Sequence, residues 1–302
     1  MISTRWMTGV GSTRCFRGDA MSFVAACLQM RSTRSVERNI TDFLALAGEA
    51  VSKGASFLQS PEMSNLVERS RADLFAKIAT EEADPFLAAA RKLAAEAKVT
   101  IHLGSLAIRE GEKIANRAFL IGPDGGLVAR YDKLHLFDVD LPNGETWRES
   151  ATYTAGACAV VAPVNGAKLG MGICYDLRFP YLFRAMAEAG ADILTAPACF
   201  TKQTGEAHWV VLQRARAIET GSFMISAAQG GTHEDGRETF GHSIIVDPWG
   251  RVLAEAEDAP GVILTEIDLA RVADARGRIP TLKHTRAITV TTVGEGAREA
   301  AE

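Results

Sequence analysis

Three residues with reactive side chains each follow an apolar run of the sequence: Glu62, Lys133 and Cys174. Together they supply the groups that hydrolyse an amide, because a thiol attacks the carbonyl carbon, a carboxylate moves protons and an ammonium group stabilises the oxyanion. Each residue alone is weak evidence, since a single Glu or Lys is usually a surface charge and a single Cys is usually a buried core residue. The sequence therefore raises cysteine-dependent amide hydrolysis as a hypothesis that the flanking residues must support.

The cysteine is expected where a strand gives way to a helix. The apolar run at 169–173 contains two glycines and leads into Cys174, and apolar residues recur at helical spacing from Leu182 to Ala189. Because glycine has no side chain, it permits the sharp backbone turn that exposes a nucleophile at the end of a strand. Because unpaired N–H groups and the dipole at a helix entry favour negative charge, we expect this position to stabilise a thiolate and a neighbouring oxyanion.

The elements that must position these residues alternate between strands and helices. Apolar runs predict strands at 23–30, 55–60, 100–108, 191–197, 222–228 and 261–267. Helical spacing predicts helices at 36–51, at 85–97, which Asp84-Pro85 opens, and at 206–218, where Ile218 is expected to face inward. Turn residues predict hairpins at 116–131, 160–174 and 242–254. Strand-helix alternation mixed with hairpins indicates an α/β layered fold with mixed sheets. Ligands bind where strands of such sheets end, so the three reactive side chains should point toward one site.

Composition limits the class of protein and its partners. The chain has 302 residues, 47% of them hydrophobic, and a net charge of −4 without a basic stripe, which argues against nucleic-acid and membrane partners. Its 5 cysteines form no CxxC pair, so neither a disulfide framework nor a zinc site is expected. We expect a cytoplasmic protein with a single domain over residues 21–302, which ends in an extended tail and binds a small molecule.

The first twenty residues show no helical or strand periodicity. They carry Arg5, Arg14 and Arg17 against one acid, Asp19, and Met21 directly precedes the first strand-like run. The excess of arginine is typical of a transit peptide, but such a peptide has an amphipathic face, and this segment has none. We therefore expect residues 1–20 to be a disordered extension.

Four segments make the hypothesis specific: SPEM around Glu62, YDKLHLFDVD around Lys133, WRES around Glu149 and GICYDLRFP around Cys174. They resemble, in order and in flanking residues, the Glu-Lys-Cys motifs of the nitrilase (carbon-nitrogen hydrolase) superfamily. The segments PACFTKQTGEAHWVVLQRARAIET, AAQGGTHEDGRETFGHS and VDPWGRVLAEAED resemble its Nit branch, whose members hydrolyse deaminated glutathione or omega-amides of 2-oxo acids. The resemblance extends from about residue 23 to about residue 286.

The resemblance implies a fold and a role for each motif residue. The fold would be a four-layer αββα sandwich. Glu62 would be the general base and later the general acid, Lys133 would stabilise the oxyanion, and Cys174 would be the nucleophile that forms a thioester. Glu149 would position the base and the substrate, and the backbone N–H of Tyr175 would complete the oxyanion hole. No metal or organic cofactor is implied.

The residues after the nucleophile bear on the substrate. Tyr175-Asp176 favours an amidase over a nitrilase, which usually has Trp-Glu there, and over a carbamoylase, which often has Asn-Asp. The resemblance implies hydrolysis of the terminal carboxamide of a small anionic substrate, such as one like deaminated glutathione, with release of ammonia. An omega-amidase acting on 2-oxoglutaramate, an N-carbamoyl amide hydrolase and a non-catalytic binding protein remain alternatives.

Two residues of this region have open roles. Arg178 could bind a substrate carboxylate through paired hydrogen bonds, or it could form a structural salt bridge near Asp176 or with a partner helix. Tyr181 departs from the Nit pattern, which more often has Glu after Phe-Pro, so the contacts of that branch at the helix entry do not carry over to this chain. Loops at 62–73, 138–154 and 199–206 are expected to shape the pocket.

The family commonly pairs subunits through the helices beside the nucleophile and through the C-terminal tail. We therefore expect a homodimer or a higher homo-oligomer, with segments 179–189, 209–218 and the residues after Pro280 as candidate contacts. The apolar faces of these segments could equally belong to the core of one subunit.

Overall fold

Two β-sheets pack face to face between two pairs of helices. The computed structural model describes residues 22–142 and 144–292. The expected disordered extension at 1–20 and the end of the expected tail lie outside the described residues. In the part of the chain that is described, no helix is long and apolar enough to cross a membrane.

The strands are short, and their bounds in chain order are β1 (Ser22–Gln29), β2 (Phe57–Gln59), β3 (Thr100–Glu110), β4 (Lys113–Ile121), β5 (Leu127–Asp132), β6 (Asp138–Asp140), β7 (Thr146–Arg148), β8 (Tyr153–Thr154), β9 (Val160–Val164), β10 (Ala167–Met171), β11 (Ile193–Thr195), β12 (Phe223–Ser226), β13 (Gly230–Thr232), β14 (Glu238–Phe240), β15 (Ile244–Val246), β16 (Val252–Glu255) and β17 (Gly261–Asp268). The helices are α1 (Val36–Ser52), α2 (Arg71–Lys77), α3 (Pro85–Ala97), α4 (Pro180–Glu188), α5 (Lys202–Thr220) and α6 (Ala270–Arg278). Single 3₁₀ turns occur at Glu81–Ala83, Glu149–Ala151, Cys174–Arg178 and Thr281–Lys283.

The two large sheets repeat one topology. The strand order is β17-β1-β2-β3-β4-β5 in the first sheet and β9-β10-β11-β12-β15-β16 in the second. In each order the first pair is antiparallel, the next two pairs are parallel and the last two are antiparallel. Strand β8 joins β4 at the side, and β6–β7 and β13–β14 form separate two-stranded ribbons. This symmetry lies in strand order and direction, so the sequence shows it only as alternating elements.

The inner strands β1, β2, β3 and β4 of the first sheet are largely buried on both faces, which is why their sequences are mostly apolar. In β1, Ala25 and Cys27 belong to the core between the sheets, whereas Ala26 and Leu28 belong to the core beneath the helices α1 and α3. Those two helices meet where Phe43 of α1 packs on Phe86 of α3, with ring centroids 4.9 Å apart. Helices α4 and α5 cover the outer face of the second sheet. The predicted four-layer αββα sandwich is confirmed.

The start of helix α3 lies where the local sequence signals predict it. Asp84 caps α3, because its side chain accepts a hydrogen bond of 2.8 Å from the backbone N–H of Leu87, and Pro85 occupies the first helical position. The prediction for α5 was less accurate: Ile218, expected to face inward, is exposed, whereas Arg216 is buried. The Arg216 guanidinium donates two hydrogen bonds, of 3.0 and 2.8 Å, to the carbonyl of Leu177. Helix α5 therefore holds the turn that carries the nucleophile candidate.

Candidate active site

Four motif residues from different elements converge on one cavity. Glu62 follows β2, Lys133 follows β5, Glu149 begins the 3₁₀ turn after β7 and Cys174 begins the 3₁₀ turn after β10. All four line a cavity of about 210 Å³ at the ends of these strands. The structure thus brings together side chains that lie up to 112 positions apart in the sequence (174 − 62).

A buried ammonium group lies between two carboxylates. Lys133 Nζ lies 2.9 Å from Oε1 of Glu62 and 2.9 Å from Oε2 of Glu149. The Lys133 side chain is 2% exposed, and a charge buried so fully is stable only when it is paired and hydrogen-bonded. One cation shared by two anions leaves this group of three with a net negative charge.

Asn116 completes the pairing, and the sequence analysis missed it. From β4 its Nδ2 donates hydrogen bonds of 2.9 Å to Oε1 of Glu62 and 3.0 Å to Oε1 of Glu149. Its backbone carbonyl oxygen accepts a hydrogen bond of 3.0 Å from the backbone N–H of Lys133. The available signal was a polar residue at the start of an apolar run, because an amide that becomes buried there requires hydrogen-bond partners.

The backbone at Cys174 adopts a strained conformation. Its φ is +48°, in the left-handed region that residues other than glycine rarely adopt. The N–H of Cys174 donates to the carbonyl of Pro197 at 2.9 Å, which fixes the turn against the neighbouring strand end. Sharp strand-to-turn geometry of this kind presents a side chain away from the sheet. The Cys174 thiol lines the same cavity as the Glu62 carboxylate, whose charge raises the pKa of the thiol.

The charges of this cluster indicate a neutral thiol beside an ionised carboxylate. Burial raises the pKa of the Cys174 thiol and the Glu62 charge raises it further, against a smaller lowering by Lys133. Burial would also raise the pKa of Glu62, but the charge and hydrogen bond of Lys133, together with smaller effects of Cys174 and Asn116, outweigh burial and lower that pKa. The expected stabilisation of a thiolate by a helix entry is therefore wrong. Helix α4 begins only at Pro180, beyond the turn.

The carboxylate of Asp176 connects the segment around Lys133 with the turn that carries Cys174. Its Oδ2 accepts hydrogen bonds from the Tyr131 hydroxyl at 2.7 Å and from the Ile173 N–H at 2.9 Å. Its Oδ1 accepts the His135 N–H at 3.0 Å and lies 2.6 Å from His135 Nδ1. The Tyr181 hydroxyl contacts Nε2 of the same imidazole. Tyr181, the departure from the Nit pattern, thus joins this network from the surface.

Tyr175 and Arg178 both line the cavity beside the thiol. The first hydrogen bond of the 3₁₀ turn runs from Asp176 N to Ile173 O at 3.0 Å, so the turn does not use the preceding N–H of Tyr175. Arg178 Nη1 lies 3.1 Å from Nδ1 of His208. Within residues 22–142 and 144–292 Arg178 pairs with no carboxylate, and the structural salt bridge to Asp176 is not formed.

The predicted loops supply most of the cavity wall, and one hairpin adds to it. Residues of the segments 62–73, 138–154 and 199–206 line the cavity, as expected. The turn between β13 and β14 adds Arg237, which the sequence analysis had not singled out. With Arg69, Arg71, Arg148 and Arg178, it gives the cavity five arginines besides Lys133. The residues described contain no group of His, Cys, Asp and Glu side chains that could hold a metal ion.

An αββα sandwich that brings a thiol, an ammonium group and two carboxylates to one cavity defines a candidate cysteine hydrolase. The family model described as carbon-nitrogen hydrolase matches residues 24–277. The chain belongs to the carbon-nitrogen hydrolase family.

Relatives within this family are amidases. The chain is 40% identical over 271 residues to a deaminated glutathione amidase of Synechocystis, covering 87% of this chain and 97% of the relative. It is 38% identical over 273 residues to the deaminated glutathione amidase of Rattus norvegicus, covering 88% of this chain and 83% of the relative. The family and these relatives make the chain a hydrolase of the amidase type.

Solved structures show the same fold. The NitFhit protein of C. elegans superposes with a TM-score of 0.82 at 32% identity, covering 88% of this chain and 66% of that longer chain. Nit3 of Saccharomyces cerevisiae, a member of branch 10 of the nitrilase superfamily, superposes with a TM-score of 0.78 at 25% identity, covering 86% of this chain and 95% of that one. The predicted resemblance to the nitrilase superfamily is confirmed.

Proposed function

We propose that the chain hydrolyses an amide of a small anionic substrate through a thioester on Cys174, with Glu62 as the proton carrier. The observation that carries this proposal is the meeting of Glu62, Lys133 and Cys174 in one cavity, with Lys133 Nζ 2.9 Å from Oε1 of Glu62. A neutral thiol becomes a nucleophile only when a base removes its proton as it attacks. The ionised Glu62 carboxylate lines the same cavity and is the base that takes that proton.

The acylation half follows from these positions. Glu62 accepts the thiol proton while Sγ attacks the carbonyl carbon, and negative charge develops on the carbonyl oxygen. The Lys133 ammonium and the Tyr175 N–H stabilise that oxyanion. Protonated Glu62 then gives its proton to the amide nitrogen, the C–N bond breaks and the amine leaves. The carbonyl carbon remains bonded to sulfur as a thioester.

The deacylation half uses the same carboxylate. Glu62 accepts a proton from water as the water oxygen attacks the thioester carbon, and the proton returns to the departing sulfur. Glu149 and Asn116 act as positioning residues here, because they hold the ammonium and the Glu62 carboxylate in place. No step of this reaction requires a metal or an organic cofactor.

Charge in the cavity supports an anionic substrate. Arg178 faces the cavity without a carboxylate partner among the described residues, so it is available for a substrate carboxylate. Deaminated glutathione, the compound in the names of the relatives, fits this requirement. The leaving group depends on the substrate. 2-Oxoglutaramate is a primary amide and gives ammonia, as expected for a terminal carboxamide. Deaminated glutathione has only secondary amides, so for this substrate the expected release of ammonia is replaced by release of a peptide fragment.

The experiment is a substrate panel with product detection. Purified protein is incubated with deaminated glutathione, 2-oxoglutaramate and an N-carbamoyl amide, and cysteinylglycine, ammonia and carbon dioxide are measured. We expect cysteinylglycine and 2-oxoglutarate from deaminated glutathione. Ammonia alone would indicate an omega-amidase, and carbon dioxide with ammonia would indicate a carbamoyl hydrolase.

Labelling of the cysteine separates an enzyme from a binding protein. We expect iodoacetamide to label Cys174 stoichiometrically and Cys174→Ala to abolish turnover while the far-ultraviolet circular dichroism stays unchanged. A wild-type chain without turnover of any short amide and with an unreactive Cys174 would contradict the proposal.

We also propose a single-domain cytoplasmic homodimer, or a higher homo-oligomer, that uses the face formed by α4, α5 and the segment after Pro280. Large apolar side chains are exposed on each of these elements, among them Tyr181 on α4, Val211 and Ile218 on α5, and Ile288 after Pro280. Burial of such side chains between two copies of the chain would favour self-association. Light scattering of the full chain tests the proposal, and Val211→Glu should shift a dimer toward monomer.

A further inference from the structure

Two buried N–H groups in the cavity wall have no hydrogen-bond acceptor. They are the indole Nε1 of Trp147 and the guanidinium Nε of Arg237, and neither finds a partner anywhere in residues 22–142 and 144–292. Both residues line the cavity. A buried donor without an acceptor is unfavourable by about 1–3 kcal/mol, so two at one place point to an acceptor supplied by a bound molecule.

Positive charge surrounds these donors. The Trp147 ring has the guanidinium of Arg237 4.7 Å from its centroid and that of Arg69 5.0 Å from it. Arg69 forms no ion pair with any described residue, and Arg237 has only Asp235 Oδ2, at 3.8 Å from its Nη2. Two cations against one distant carboxylate leave an uncompensated positive charge beside the Trp147 N–H, which favours an anion.

This group lies beside the proton carrier of the proposed reaction. Arg237 Nη1 lies 3.6 Å from Sγ of Cys199, and the backbone N–H of Cys199 donates to Oε2 of Glu62 at 2.7 Å. Arg178 instead packs over Phe200 and Tyr175, and it shares none of the partners of Arg237. The cavity therefore offers cations on two separate walls. Since Glu62 protonates the leaving nitrogen, the wall beside Glu62 faces the leaving group.

We infer that Arg69, Trp147 and Arg237 form a subsite for a carboxylate of the leaving group, while Arg178 serves the acyl group. This inference rests on the proposed function. It narrows the substrate class to secondary amides that carry a carboxylate on each side of the scissile bond. Deaminated glutathione belongs to this class, because its cysteinylglycine part ends in a carboxylate. 2-Oxoglutaramate, whose leaving group is ammonia, makes no use of the subsite.

The test compares these two substrates in variants of the subsite. Arg237→Gln should lower kcat/KM for deaminated glutathione by about tenfold or more and leave kcat/KM for 2-oxoglutaramate within about twofold. Trp147→Phe keeps an aromatic ring and removes the indole N–H. It should also lower kcat/KM for deaminated glutathione and not for 2-oxoglutaramate, but by a smaller factor than Arg237→Gln does. Arg251→Gln, an exposed arginine outside the cavity, is the matched control and should change neither value.

Each other outcome overturns the inference. Equal losses on both substrates would assign Arg237 to the structure of the Glu62 wall, and unchanged kinetics would show that the two donors do not meet the substrate. A wild type that turns over neither substrate contradicts the proposed function instead. Calorimetry of deaminated glutathione on Cys174→Ala, with and without Arg237→Gln, then still decides the subsite: unchanged affinity, or no binding to either variant, excludes it.

Discussion

Lys133 Nζ lies 2.9 Å from Oε1 of Glu62, and both side chains are almost fully enclosed by protein. Burial alone would raise the pKa of the Glu62 carboxyl, and the charge and hydrogen bond of Lys133 are the largest effects that oppose it. The net direction is a lowered pKa, so the Glu62 carboxyl is ionised in the neutral range.

The pH dependence of Cys174 alkylation should reveal this coupling. Because the pKa of Glu62 is lowered, the wild-type rate with iodoacetamide should persist down to the usual carboxyl range and fall only below it. Lys133→Met removes the cation, so the pKa of Glu62 should rise and the acidic fall of the rate should move to higher pH. Glu62→Gln should slow alkylation by about 10²-fold or more at every pH above that fall. An acidic fall at the same pH in wild type and Lys133→Met would contradict the coupling.

Substitutions at Asn116 should separate orientation from charge. Asn116→Leu removes the donor that bridges Glu62 and Glu149, so we expect kcat to fall by about tenfold and the free energy of unfolding by about 1–3 kcal/mol. Asn116→Asp has nearly the same shape but adds a third carboxylate around a single ammonium group. It should lower kcat further and raise the pKa of Glu62, seen as a shifted acidic limb of the rate. Equal kinetics of the two variants would show that charge at this position is unimportant.

Asp176 offers a test of how the turn is held. Both oxygens of its carboxylate accept hydrogen bonds, from Tyr131 and Ile173 on one and from His135 on the other. An amide places an NH₂ group against donors on one side, so Asp176→Asn should lower the free energy of unfolding by about 2–4 kcal/mol and slow alkylation of Cys174. Asp42→Asn, on the exposed face of α1, is the matched control and should leave both values unchanged. If Asp176→Asn unfolded with the same free energy as the wild type, the hydrogen bonds of Asp176 would not hold the turn.

Local sequence determined much of the fold, because its signals act over a few residues. Asp84-Pro85 gave the start of α3, and the apolar runs gave the strands of both large sheets. The motif resemblance gave the four polar residues that meet in the cavity. Nothing local showed that Cys174 would be buried next to an anion, so the direction of its pKa shift was predicted wrongly. That direction results first from burial and then from the charge of Glu62, which follows a strand of the other sheet.

Residues whose role depends on distant partners were the ones missed. Asn116 appeared only as the first residue of an apolar run, because its two carboxylate partners come from segments before and after it in the chain. Arg237 stood in a quoted motif but received no role. The β13–β14 ribbon that carries it has too little apolar alternation to be predicted from sequence. Ile218 was assigned inward by spacing, although α5 buries Arg216 against the Leu177 carbonyl instead. Tertiary contacts overrode the helical pattern there.

Gly104 links the packing of the two sheets to the chemistry. A Cβ at this position would lie 2.2 Å from the Ser60 carbonyl oxygen, 2.7 Å from the Pro61 carbonyl carbon and 2.5 Å from Cβ of Pro197. The first two atoms belong to the segment that ends in Glu62, and the carbonyl of Pro197 accepts the N–H of Cys174. A methyl group at residue 104 must therefore push the segments that carry Glu62 and Cys174 apart.

We expect Gly104→Ala to lower kcat by about 10²-fold, because displacements near 1 Å at a reacting centre have this effect, and to lower the free energy of unfolding by about 1–3 kcal/mol. Gly48→Ala makes the same chemical change in α1, where a Cβ meets nothing within 4 Å. There the free energy of unfolding should rise by about 0.5–1 kcal/mol and kcat should stay the same. Turnover and thermal unfolding of both variants check the pair. Wild-type kcat in Gly104→Ala would mean that the strand ends carrying Glu62 and Cys174 can move apart without loss of the reactive contact.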